Sequence, residues 1–102
     1  MAIITLDKER TLRFDYNSIA DIEEKTGNGI GVLLSEQRVG LHTLRLLYSG
    51  GLKHEDKDMS VVKAGKLLND YLQSGGSWKE LGDKLSQALD ESGIMGNVQA
   101  AD

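Results

Sequence analysis

Histidines, clustered carboxylates and a glycine-rich stretch are the features of this chain through which chemistry could run, and their spacing argues against most of it. His42 and His54 stand on separate segments, and neither belongs to an H-E-x-x-H pattern that would bring two imidazoles onto one metal ion. Glu55, Asp56 and Asp58 crowd one loop. A calcium loop starting at Asp56 needs glycine at its sixth position, where this chain has Val61. Gly27-Asn28-Gly29-Ile30-Gly31 is rich enough in glycine to wrap a phosphate. It follows a helical pattern rather than a strand, however, and no Gly-Lys-Ser/Thr comes after it, so it reads as a helix end and a sharp turn. There is no G-x-S-x-G and no Ser/His/acid arrangement with supporting context. The carboxylate pairs fall on helix faces expected to be solvated, where nothing would raise a pKa into a catalytic range. The chain therefore reads as a non-enzyme with no cofactor and no metal.

Composition narrows the class further. The 102 residues carry 12 Lys and Arg against 16 Asp and Glu, so the formal charge is 12 − 16 = −4. An acidic chain lacks the basic face of a general nucleic-acid binder. Cysteine is absent, which excludes disulfides and thiolate chemistry. The start, Met1-Ala2-Ile3-Ile4-Thr5-Leu6-Asp7, has neither the basic beginning nor the apolar stretch of a secretory signal, and the longest apolar runs are far short of the ~20 residues of a membrane span. The expectation is a cytoplasmic protein without membrane contact. Its organisation is read as one domain over residues 1–93 and a flexible tail over 94–102.

The elements follow from periodicity. Ile4, Leu6, Leu12 and Phe14 share one face at period two, with Asp7 to Arg10 as the polar turn of a hairpin. Asp15 is placed to cap a first helix, with Tyr16, Ile19 and Ile22 as its inward stripe, Asp21 and Lys25 paired one turn apart, and Gly27 as its end. Val32-Leu33-Leu34 suggests a short helical turn. Leu41 to Tyr48 is apolar nearly all round, which marks a helix central in the core or covered by a partner, and Gly50-Gly51 is expected to end it. Ser60 caps the next helix, whose stripe is Val61, Ala64, Leu67, Leu68, Tyr71 and Leu72. After Gly75-Gly76, Ser77 and Glu80 form a capping box, and Trp78, Leu81, Leu85, Ala88 and Leu89 line the last helix up to Gly93. One hairpin followed only by helices is α+β: an N-terminal β-hairpin packed on a bundle of about four to five helices.

These segments together resemble a family. Leu12-Arg13-Phe14 followed by Tyr16-Asn17-Ser18-Ile19-Ala20-Asp21-Ile22-Glu23-Glu24-Lys25-Thr26-Gly27 is similar to the opening of phage tail assembly chaperones, the small tail-gene proteins of gene transfer agents and siphophage-like prophages. Leu44 to Asp56 looks like the family's second block, and Ser60-Val61-Val62-Lys63-Ala64-Gly65 like the start of the helix after it. The likeness covers about residues 10–70. It implies a non-enzymatic assembly factor that binds the tape measure protein while the tail is built, is absent from the finished virion, and acts beside a frameshifted longer form.

Three readings follow. The first is that chaperone, self-associating as a homo-oligomer. The second is a structural tail or head–tail joining component, disfavoured because tail-tube subunits are rich in β-sheet and this chain offers one hairpin. The third is a small DNA-binding regulator. The last two helices have the outline of a helix-turn-helix, but the second carries Lys79 and Lys84 against Glu80, Asp83, Asp90 and Glu91 and would repel phosphate. On the chaperone reading, the client-binding surface is expected to use Leu41, Leu44 and Tyr48 with Trp78, Leu81 and Leu85. Glu23 and Glu24 belong to an acidic rim that includes Asp21, Asp83, Asp90 and Glu91.

Overall fold

The computed structural model describes residues 1–27, 29 and 40–94. The turn expected at Val32–Leu34 and the tail beyond Ile94 lie outside the described residues. Two strands, β1 (Ala2–Thr5) and β2 (Glu9–Leu12), form an antiparallel hairpin in which Ala2 faces Leu12, Ile3 faces Thr11, Ile4 faces Arg10 and Thr5 faces Glu9. Four helices follow among the described residues: α1 (Tyr16–Thr26), α2 (Leu41–Leu52), α3 (Val61–Gln73) and α4 (Trp78–Glu91). The architecture is α+β, a hairpin laid on a helical bundle.

A two-stranded hairpin is marginal in water and needs a partner for its apolar face. Ala2, Ile4 and Leu12 supply that face, and Phe14 extends it beyond the end of β2. It joins a single cluster with Ile19 and Ile22 of α1, Leu44, Leu46, Leu47, Tyr48 and Leu52 of α2, Ala64 and Leu68 of α3, and Leu81, Leu85, Ala88 and Leu89 of α4. The centre of this cluster is α2, which packs on β2, α1, α3 and α4. Its near-continuous apolar circumference is thus a consequence of being surrounded.

Four sequence expectations are corrected. Arg10 belongs to β2 rather than the turn, and the pairing with Ile4 turns it toward the core, where it is 4% exposed. Tyr16 is not part of the inward stripe of α1. It opens the helix, 73% exposed, while the buried Phe14 ahead of the cap takes the inward place. Gly50 and Gly51 do not end α2, which runs on to Leu52. They are sites of close approach: a Cβ on Gly50 would lie 2.9 Å from Ile22 Cδ1, and one on Gly51 would lie 2.8 Å from Leu12 Cδ2 and 2.9 Å from Phe14 Cζ. The Arg13 N–H donates to the Gly51 carbonyl at 2.9 Å, so strand exit and helix meet backbone to backbone. Lastly, the capping box of α4 is half formed. Ser77 accepts from the Glu80 N–H at 3.0 Å, but the Glu80 carboxylate accepts the Tyr71 hydroxyl.

The other expected caps are present. Asp15 accepts from the Ser18 N–H at 2.8 Å while Ser18 Oγ accepts from the Asp15 N–H at 2.9 Å, a reciprocal box at the start of α1. Gly27 closes that helix in the left-handed conformation, with φ 75°. Ser60 accepts from the Lys63 N–H at 3.1 Å.

Candidate interaction surface

The six apolar residues expected to meet a client divide sharply. Leu44, Tyr48, Leu81 and Leu85 are buried in the chain's own core. The Tyr48 hydroxyl, with its ring fully enclosed, donates to the Leu81 carbonyl at 2.8 Å and ties α2 to α4. Burial holds that phenol well above its usual pKa. These four are therefore corrected from contact residues to core residues. An apolar period identifies a face that is covered; it does not say by what.

Leu41 and Trp78 are on the outside, 70% and 51% exposed. Sequence reasoning missed what they share with two other residues. Tyr16, Leu41 and Trp78 are each the first residue of a helix, and Val62, 75% exposed, is the second residue of α3. Every described helix thus opens with a large apolar or aromatic side chain in water. Of the acidic rim, Asp21, Glu24, Asp83, Asp90 and Glu91 are exposed and Glu23 is half-buried. Asp21 pairs with Lys25 at 3.1 Å and Asp83 with Lys79 at 2.9 Å, while Glu91 takes the N-terminal ammonium. Much of the rim's charge is locally offset.

Each histidine has a hydrogen-bond partner within the chain. His42 Nδ1 accepts from Arg45 Nε at 3.2 Å on the exposed start of α2. His54 Nε2 donates to the Thr11 carbonyl at 2.7 Å, and Glu55 Oε1 accepts from the Thr11 N–H at 3.0 Å. His54 and Glu55 border an open cleft of about 1020 Å³ between the end of β2, the start of α1 and the end of α4. Among the described residues no group of three or more His, Asp or Glu could hold a metal ion. No helix among them is long and apolar enough to cross a membrane.

An ionic lock joins the hairpin to the helices. Arg10 grips Asp7 with two bonds, Nε to Oδ1 at 2.9 Å and Nη2 to Oδ2 at 2.8 Å. Its Nη1 lies 3.9 Å from Asp56 Oδ2, which Lys63 Nζ contacts at 2.6 Å. Arg10 holds the Asp7 carboxyl below its ordinary pKa, and Lys63 does the same for Asp56. The Ser18 N–H lowers Asp15, and the N-terminal ammonium lowers Glu91. A carboxyl whose pKa falls on folding stabilises the native state above its unfolded value of about 4 and loses that contribution as pH drops through the folded value. The thermal midpoint should accordingly be level from about pH 7 to pH 5 and fall steeply below about pH 4. Asp7→Asn should lower the neutral-pH midpoint and flatten the acid decline, as thermal melts across that range would read; an unchanged acid slope would contradict the lock.

In comparisons with known proteins the chain matches no family model, no curated protein and no solved structure.

Proposed function

We propose that this protein is a non-enzymatic phage or prophage tail assembly chaperone. On this reading it holds the tape measure protein soluble in the host cytoplasm while the tail is built, alone or beside a frameshifted longer form, and is absent from the mature virion. The observation that carries the reading is the set of helix-opening side chains: Leu41, Val62 and Trp78 stand in water around a core that closes without them. A tape measure is by family expectation long and helical, and an unpaired apolar stripe on it would aggregate. Exposed apolar residues can dock such a stripe, with Trp the type most enriched among contacts that dominate binding energy. A net charge of −4 keeps the complex soluble. The resemblance over residues 10–70 supplies the identity of the client. The alternative of a structural virion component has less support, because the only described sheet has two strands.

Co-expression with a tape measure fragment tests the proposal. The fragment should be insoluble alone and soluble with this chain. Glu24→Lys should weaken the effect in a salt-dependent way, with the thermal midpoint unchanged to within a few degrees. A fragment that is equally soluble without the chaperone contradicts the assignment.

A further inference from the structure

The two edges of the hairpin are treated differently, and the difference points to a self-pairing surface. In an antiparallel ladder, a residue either exchanges both backbone bonds with its partner or points both away from it. Thr11 points both away: its N–H goes to Glu55 and its carbonyl receives His54. The next outward group on that side, the Arg13 N–H, is taken by Gly51. From Thr11 to Arg13 the outer edge of β2 is therefore closed by side chains and a helix carbonyl.

Register fixes the other edge. Thr11 faces Ile3, so Ile3 also turns its N–H and carbonyl away from the ladder, and Thr5 and Met1 share that parity. The Met1 carbonyl accepts from Gln87 Nε2 at 3.2 Å, which confirms the direction and engages that end of the edge. Ile3 and Thr5 have no backbone partner on that side among the described residues. Ile3 is 37% exposed. This leaves an open, β-branched strand edge, which natural sheets ordinarily protect with charge, proline or cover.

We infer that the open edge of β1 pairs with β1 of a second copy, antiparallel, about a two-fold axis through Ile3. Two features favour a second copy as the occupant. Ala2 to Thr5 is uncharged, in a chain of net charge −4, so two copies meet along it without opposing like charges. The register is also self-complementary. Ile3 exchanges both its bonds with Ile3 of the other copy and the two Ile3 side chains meet on the outer face, while Thr5 comes opposite Met1, whose carbonyl Gln87 already holds and whose ammonium Glu91 takes. The product is a four-stranded sheet, β2-β1-β1-β2, above the size at which a sheet stands on its own. This inference does not depend on the chaperone reading, since it concerns the purified chain alone.

Proline at position 3 isolates the claim. It deletes only the outward N–H and leaves the β1–β2 ladder intact, since an edge strand tolerates proline where the N–H faces solvent. Sedimentation of the wild type should show the mass rising from 11.2 kDa toward twice that value between about 10 µM and about 1 mM, the range of a weak, small interface. Ile3→Pro should stay monomeric with an unchanged circular dichroism spectrum. Ile3→Lys, which puts two like charges face to face on the outer surface, gives the same answer if proline perturbs the strand. Exchange of the Ile3 amide should slow as concentration rises. A wild type that is monomeric at 1 mM overturns the inference. So does a dimer that both variants leave intact, or an edge that takes an extended tape measure segment while the chain remains monomeric.

Discussion

Tyr48→Ala should destabilise the protein by about 3–5 kcal/mol, the range for deleting a large buried aromatic side chain. A domain of this size has about 5–15 kcal/mol in total, so the variant stands close to unfolding at 37 °C. The reason is position. Tyr48 is fully enclosed on the helix that the other elements surround, and its hydroxyl is the link from α2 to the Leu81 carbonyl of α4. Tyr48→Phe separates the two contributions. It keeps the ring and removes only the second bond to the Leu81 carbonyl, which still accepts within α4, at a cost of about 0.5–1.5 kcal/mol. Urea denaturation of the three proteins reads both values. If Tyr48→Ala lost less than about 1 kcal/mol, Tyr48 would be a surface residue and its reassignment from contact to core would be wrong.

The second large effect sets packing against propensity. Alanine is favoured over glycine by about 1 kcal/mol in a helix interior. At Gly82 of α4 a Cβ would meet nothing within 4 Å, so Gly82→Ala should stabilise by about 0.5–1 kcal/mol. At Gly51 the same methyl would enter the space of Leu12 and Phe14, both buried, at under 3 Å. Overpacking of a closed core costs about 1–3 kcal/mol, and it also strains the Arg13 to Gly51 backbone bond. Gly51→Ala should therefore be net destabilising, by up to about 2 kcal/mol. Opposite signs for the two substitutions are expected in thermal melts. A stabilising Gly51→Ala would mean that the hairpin does not lie on α2 at this spacing.

These cases show which parts of the fold were legible in the sequence. Local signals read correctly: the period-two hairpin face, the caps at Asp15 and Ser60, the left-handed end at Gly27 and the apolar circumference of α2. What misled was decided by distant parts of the chain. Arg10 looks like turn polarity until Asp56, far along the sequence, is brought beside it. Gly50-Gly51 looks like a stop until Phe14 and Leu12 are seen against it. Glu80 fits a capping box, but Tyr71 reaches its carboxylate first. The candidate surface was half legible for a related reason. Periodicity groups Trp78 with Leu81 and Leu85, and Leu41 with Leu44 and Tyr48, yet only the residue in the first turn of each trio stands clear of the bundle. Which edge of the hairpin is open cannot be read from residue types, because it follows from backbone register.

On the proposed function, the exposed apolar residues opening the helices hold a tape measure segment. Leu41→Ser with Trp78→Ser removes two of them without touching the core, so the thermal midpoint should stay within a few degrees of the wild type. The decisive measurement is the amount of tape measure fragment that co-purifies with each protein after co-expression, at matched yield. Stoichiometric capture by the wild type is expected, with at least a tenfold loss for the double variant, which corresponds to about 1.4 kcal/mol of binding energy. Equal capture by a folded double variant, or no capture by the wild type, would contradict it.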